Sequence, residues 1–212
     1  MRKKEIVDNF KNAKILVIGD MVADIYLNGN ISRISREAPV LILEYAGEKI
    51  VPGGAANVVN NISTLSGSVF AYGLIGEDAS GRKLKDLLEQ KSIKVEGLLS
   101  DGDRPTITKT RVVAGGAATV SQQVVRIDKE PKIPINKKLE TKIIEKLSND
   151  LKIVDGIVLS DYGSGMVTTK IKKLIIEYCR QNNKVCIVDS RYDILSFKGV
   201  TYVKQNEAEA AK

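Results

Sequence analysis

Short apolar runs of strand length alternate along this chain with segments whose apolar residues recur at helical spacing, and nothing else in the sequence restricts the fold as much. Residues 14–19 (KILVIG) read as a buried strand. Residues 54–65 place Ala55, Val58, Val59, Ile62 and Leu65 on one helical face, directly after a glycine pair. A strand is expected over 69–76 and a helix over 80–91, with Leu84, Leu87 and Leu88 facing inward. Further on come a helix over 139–151, a strand over 153–161 and a helix over 168–182. A strand over 184–189 and a short one over 200–203 complete the series. This βαβ rhythm argues for an α/β fold, a mostly parallel sheet with helices on both faces.

Two regions break the rhythm. Residues 38–51 (APVLILEYAGEKIV) read as a strand, a turn at Gly47 and a second strand. Residues 106–127 read as another pair, TITKTRVV and TVSQQVVRI, around a turn at Gly115-Gly116. Extended segments inserted into an α/β chain suggest a small separate sheet, a lid over a site.

Composition removes several kinds of chemistry. The 212 residues contain no histidine, which excludes Ser-His-Asp and Cys-His nucleophiles and histidine-ligated metals. Acid–base work falls to carboxylates, lysines or tyrosines. Cys179 and Cys186 lack metal-ligand spacing and read as free thiols, on a helix face and inside an apolar strand. The net charge of +7 comes from lysines scattered through helix-like segments. A nucleic-acid binder should show a clustered stripe instead, whereas a basic pocket for an anionic metabolite fits equally well. No run approaches a membrane span, and the first residues show no apolar export signal, so the cytoplasm is the expected location.

Polar residues gather where the expected strands end, which is where open parallel sheets bind ligands. Gly19-Asp20 closes the first strand, with Asp24 four residues on; Asp161 and Asp189 close two later ones, and Asn206 and Glu209 follow the last. Taken singly, each aspartate suits a helix cap equally well. In VPGGAANVVNN (51–61), Gly53 and Gly54 stand at a strand-to-helix junction where a ligand can approach the main chain. The following helix start offers unpaired N–H groups, and Asn57 can both donate to and accept from a sugar's hydroxyls. A plain tight turn with a surface amide is the alternative.

GDMVADIY (19–26), SRISREAPV (32–40), PGGAANVVNNISTLSG (52–67), SDYGSG (160–165) and NEAE (206–209) together resemble the ribokinase-like, or PfkB-type, carbohydrate kinases. The pairing of GD-x3-D with SRIS-x-EAPV is similar to the heptose-7-phosphate kinase branch, which makes ADP-heptose precursors. The resemblance implies one ribokinase-like domain over 1–212, incomplete, with lid segments at about 31–51 and 106–127. It implies that Asp20, Asp24, Gly53, Gly54 and Asn57 bind a sugar, with Arg33, Lys109, Arg111 and Arg126 gripping its phosphate. A solvated strand charge is the alternative for each of these basic residues. It further implies that Asn206, Glu209, Asp161 and Asp189 serve ATP, with Glu209 also on Mg²⁺. Ser164 stands where that family commonly has lysine, Ser190-Arg191 where it has proline-lysine, and Gln205 where a proline often precedes the asparagine.

The family's catalytic aspartate belongs to a later G-A-G-D segment, expected beyond Lys212, so no catalytic residue is assigned and the chain alone is expected to be inactive. A homodimer through the lid is implied as well. Three functions follow as expectations: transfer of phosphate from ATP to the anomeric hydroxyl of heptose 7-phosphate, the same on a fructose- or ribose-type sugar, or a non-catalytic sugar-phosphate-binding module.

Overall fold

The computed structural model describes residues 3–116, 119–131 and 133–210. A short helix α1 (Lys3–Asp8) precedes β1 (Lys14–Gly19), which runs into β2 (Met21–Ile34). β3 (Leu41–Gly54) returns alongside β2 and enters α2 (Ala55–Thr64). Then follow β4 (Ser68–Gly76), α3 (Ala79–Glu89) and β5 (Lys94–Asp101), and the pair β6 (Ile107–Gly116) and β7 (Thr119–Lys129). α4 (Lys137–Asp150), β8 (Gly156–Asp161), α5 (Thr169–Gln181), β9 (Val185–Ser190), β10 (Tyr202–Val203) and α6 (Glu207–Ala210) complete the described chain.

Six strands form a sheet in the order β10-β9-β8-β1-β4-β5, every neighbouring pair parallel. Side chains alternate across such a strand, so β1 feeds two cores. Leu16 and Ile18 join Ile143 and Leu147 of α4 and Ile171 and Ile175 of α5 on one face. Val17 joins Ala55 and Val59 of α2 and Leu84 and Leu88 of α3 on the other. Each buried side chain of this size contributes about 1.5–3 kcal/mol, so packing of the apolar stripe, more than intrinsic propensity, holds these helices. Their starts are set by side-chain caps: Asp78 accepts from the Gly81 N–H, Asn136 from Leu139 and Thr168 from Ile171. Cys179 and Cys186 are free and buried in the first core, as their apolar settings predict.

The second sheet is four-stranded, in the order β3-β2-β6-β7, with β2 and β6 parallel and both outer pairs antiparallel. Its root packs on the main body through Met21 and Ala23 of β2 and Ile50 of β3, while β7 stands clear and is exposed from Val120 to Lys129. The turn residues between β6 and β7 lie outside the described residues.

Three expectations about elements need correction. Residues 38–51 are not a hairpin: β3 passes through Gly47 without reversing, and its partner is β2. The reversal falls instead in 35–40, between β2 and β3. β2 itself, expected only as a motif-bearing segment, is a 14-residue strand at the centre of the lid. β5, not anticipated, forms the edge of the main sheet. No helix among the described residues is long and apolar enough to cross a membrane.

Candidate functional site

From β1 the chain builds the main sheet outward through β4 and β5, then returns to the other side of β1 for β8, β9 and β10. The carboxyl ends of β1 and β8 therefore flank the point where strand order reverses, the position at which open α/β sheets bind ligands. The lid springs from this point, because β2 begins one residue after β1 ends.

A cavity of about 250 Å³ lies between the lid root and the start of α2. Asp24 and Val22 enter it from β2, Lys109 and Arg111 from β6, and Gly53, Gly54 and Asn57 from the β3–α2 junction. The register explains the convergence: Asp24 lies opposite Lys109, and Val22 opposite Gly53. The two glycines are there for different reasons. A Cβ on Gly53 would fall 2.5 Å from Asp24 Oδ2, so only a bare backbone leaves room for the carboxylate. Gly54 has φ +54°, which favours glycine, and a Cβ there would fall 2.6 Å from the Asp20 carbonyl oxygen. No side chain caps α2, although its first N–H donates to that same carbonyl, and Asn57 in the first turn is exposed.

Charge in the cavity is asymmetric. Arg111 Nη1 donates to Asp24 Oδ1 at 2.7 Å and to the Lys109 carbonyl at 3.3 Å, with its guanidinium over the Tyr26 ring. The hydrogen bond to Asp24 pushes the Arg111 pKa further up. Both side chains are about four-fifths buried, at 21% and 20% exposure. Asp24 Oδ2 accepts no hydrogen bond and Lys109 makes no ion pair among the described residues. The cavity thus offers one open carboxylate oxygen, one open ammonium and an oriented guanidinium.

Asp20 has a different duty from the expected one. It is 1% exposed and does not line the cavity. Oδ2 accepts from the N–H groups of Tyr162 (2.8 Å) and Ser164 (3.1 Å), and Oδ1 from Met166 (3.3 Å). Burial pushes its carboxyl up, with those N–H groups opposing. Asp20 therefore shapes the loop after β8, and that loop delivers Tyr162 to the cavity wall. Tyr162 was not singled out from the sequence, although it sits inside SDYGSG. Burial raises its hydroxyl pKa, followed by the field of Asp189, so it remains a neutral donor.

Two expected phosphate grips also lie elsewhere. Arg33 is exposed at the far end of β2, nine residues and roughly 30 Å of strand from Asp24. Arg126 faces Arg111 across the β6–β7 ladder but is held by Asp128, Nε to Oδ1 at 2.9 Å and Nη2 to Oδ2 at 3.0 Å.

The nucleotide-side candidates form local contacts. Asp161 accepts from the Gly163 N–H and the Ser190 hydroxyl, which ties the ends of β8 and β9 together. Asp189 pairs with Lys204 at 3.0 Å, a bond that raises the Lys204 pKa. Asn206 and Glu209 make a reciprocal capping box on α6: the Asn206 N–H donates to Glu209 Oε2 at 3.1 Å, and the Glu209 N–H to Asn206 Oδ1 at 2.8 Å. Among the described residues no group of three or more cysteines or carboxylates could hold a metal. Glu209 Oε1 accepts no hydrogen bond among the described residues, and the charges of Asp189, Lys204 and Glu209 all act on the Tyr162 hydroxyl, although none of the three lines the cavity.

The fold and the switch-point cavity define a ribokinase-like α/β protein, the architecture of carbohydrate kinases. Phosphofructokinase-2 of Escherichia coli, solved with substrates and products, superposes with a TM-score of 0.67 at 20% identity over 94% of this chain and 62% of its own. Ribokinase of Arabidopsis thaliana, complexed with ribose and ATP, gives 0.60 at 16% identity over 94% of this chain and 61% of its own. Residues 12–212 match the pfkB family carbohydrate kinase profile, and the chain belongs to that family. The bifunctional protein HldE of Gluconobacter oxydans is 40% identical over 207 residues, 97% of this chain and 42% of its own length. That of a Helicobacter pylori strain is 36% identical over 92% of this chain and 42% of its own. The chain thus spans less than half the length of these curated relatives.

Proposed function

We propose that this chain is the sugar-binding part of a kinase that transfers phosphate from ATP to the anomeric hydroxyl of heptose 7-phosphate. The observation that carries the reading is the Asp24–Arg111–Lys109 cluster over Gly53. Asp24 Oδ2 is the acceptor for a sugar hydroxyl, and Asn57 and the Tyr162 hydroxyl are further partners around the ring. Lys109 and Arg111 hold the substrate phosphate; arginine's planar fork suits a phosphate, and Asp24 orients it. The cavity is smaller than the roughly 300–1,000 Å³ of drug-sized sites, as suits a sugar with its phosphate end reaching toward the open lid. The GD-x3-D and SRIS-x-EAPV blocks, with the HldE relatives, support a heptose over a fructose or ribose.

Phosphoryl transfer depends mainly on positioning and charge neutralisation. ATP with Mg²⁺ would supply the phosphoryl group and the neutralising charge. A magnesium ion that keeps most of its waters needs one or two carboxylates besides the phosphates, and Glu209 Oε1 is the oxygen available for it. The chain's own residues fix the sugar and exclude water from one side of it. The family's catalytic aspartate belongs to a G-A-G-D segment that these 212 residues do not contain, so the roles proposed for them are binding roles. These substrates are cytoplasmic metabolites, and the lid is the contact of a homodimer.

Titration calorimetry with heptose 7-phosphate, fructose 6-phosphate and ribose tests the reading. Binding of the heptose phosphate is expected, and Asp24→Ala should abolish it. Preference for a sugar without phosphate would remove the heptose assignment, and no binding of any sugar would remove the kinase reading.

A further inference from the structure

Among the described residues Arg104 is the only buried basic residue, at 8% exposure. It has no carboxylate partner among them. Among the described residues all its hydrogen bonds go to main-chain carbonyls: Nη1 to Ile133 at 3.2 Å, and Nη2 to Ser164 at 3.0 Å and Pro131 at 3.4 Å. Burying a guanidinium without a counter-ion is costly, and an apolar side chain of like volume would fill the space at lower cost. What the guanidinium supplies is a rigid fork that joins separate segments.

Those segments are the roots of the lid and the wall of the cavity. Arg104 stands between β5 and β6, two residues before Thr106, whose N–H and hydroxyl are both fixed by Asp78. Pro131 and Ile133 belong to the connection by which β7 leaves the lid for α4. Ser164 belongs to the loop that presents Tyr162. That residue is gripped from both sides, because its N–H donates to Asp20 while its carbonyl accepts from Arg104. The same loop meets the β7–α4 connection again where the Ile135 N–H donates to the Gly165 carbonyl. A displacement of either lid root is thereby passed to the Tyr162 loop through Arg104, which acts beside the Ile135–Gly165 bond and the bond from the Ser164 hydroxyl to Glu130 Oε1 at 3.3 Å.

We infer that Arg104 is a positioning residue that couples the lid roots to the Tyr162 loop, so that lid closure over a sugar phosphate also sets the opposite wall of the cavity. The ligand in this statement rests on the kinase reading above; the mechanical link does not.

The test compares wild type with Arg104→Met, which keeps bulk and removes the donors, and Arg104→Lys, which keeps the charge without the fork. Amide hydrogen exchange and calorimetric binding of heptose 7-phosphate are measured on each. In Arg104→Met the amides of 162–166 should exchange about tenfold faster, with β1 and β4 unchanged and the sugar phosphate Kd about tenfold higher. Arg104→Lys should fall between. If the methionine variant does not fold, exchange at 162–166 in the lysine variant decides alone. Exchange unchanged at 162–166, or raised equally throughout the main sheet, would overturn the coupling. If wild type binds no sugar phosphate, the kinase reading falls while the exchange data still judge Arg104.

Discussion

Asp20, Asp24 and Asp78 show how far neighbouring geometry decides what one residue type does. Asp20 lies at the joint between two strands and is sealed under the Tyr162 loop, whereas Asp24 projects from the lid into the cavity. Asp78 anchors the root of β6: Oδ1 accepts from the Thr106 hydroxyl at 2.7 Å and the Gly81 N–H at 2.8 Å, and Oδ2 from the Thr106 N–H at 2.9 Å. Burial pushes its carboxyl up, but the hydrogen bonds from Thr106 and Gly81 outweigh that and hold it below the ordinary value of 3.8. Because the folded value is the lower one, this carboxylate's stabilisation is fully present above about pH 3.8. It is lost as the pH falls through the folded value. Asp78→Asn keeps one oxygen for the helix cap but turns an amide NH2 toward the Thr106 N–H, so it should lower stability at neutral pH by about 1–3 kcal/mol, the usual cost of a buried donor left without its acceptor. The difference should shrink on acidification below that point. Thermal melts across the acid range check this, and a difference independent of pH would show that the charge is not involved.

At the scale of elements, the β3–α2 junction separates binding from stability. Gly53→Ala places a methyl group against the end of the Asp24 side chain, which can swing aside. Binding of heptose 7-phosphate should fall about tenfold or more with little change in Tm. Gly54→Ala meets main chain and an unfavourable φ, so it should cost about 1–3 kcal/mol of stability. Calorimetry and melting of the two variants should give opposite patterns; the same pattern in both would refute the assignment of Gly53 to site clearance.

What the sequence showed of these elements follows from burial. β1, β4, β8 and β9 were legible because parallel strands covered on both faces read as continuous apolar runs. β2 was not, since half of it carries the polar face of a lid, and β5 (KVEGLLSD) mixes charge with its core residues. Gly47 suggests a reversal because glycine marks turns locally, while strand continuation is set by pairing with β2. In the site, Asp24, Gly53, Gly54 and Asn57 stand out from local pattern, Lys109 and Arg111 follow only from the family resemblance, and all six line one cavity. That Asp20 meets the Tyr162 N–H does not show in the sequence, because the contact spans 142 residues. That Arg33 lies far from the cavity does not show either, because distance along a strand is invisible in a motif.

For the molecule as a whole, the lid poses a problem that the single chain does not solve. Its outer strands β3 and β7 are sheet edges with open backbone groups, a ready template for further pairing. Tyr45 on β3 is 72% exposed, and Val125 and Ile127 on β7 are 47% and 60% exposed. Val112 lies opposite Val125 and carries the apolar surface onto β6, while Thr110 lies opposite Ile127. Contiguous apolar surface of this kind on a soluble protein marks an interface. In the homodimer proposed above a second copy would cover it, because two identical lids can meet about a two-fold axis and protect each other's faces. Ile127→Glu would bring a charge into that contact twice, once from each copy. Sedimentation velocity should then find wild type as a dimer at micromolar concentration and the variant as a folded monomer. A wild-type monomer that melts cooperatively would show that the lid face is stable in water alone. Loss of dimer together with weaker sugar-phosphate binding would show in addition that the partner steadies the lid over the cavity.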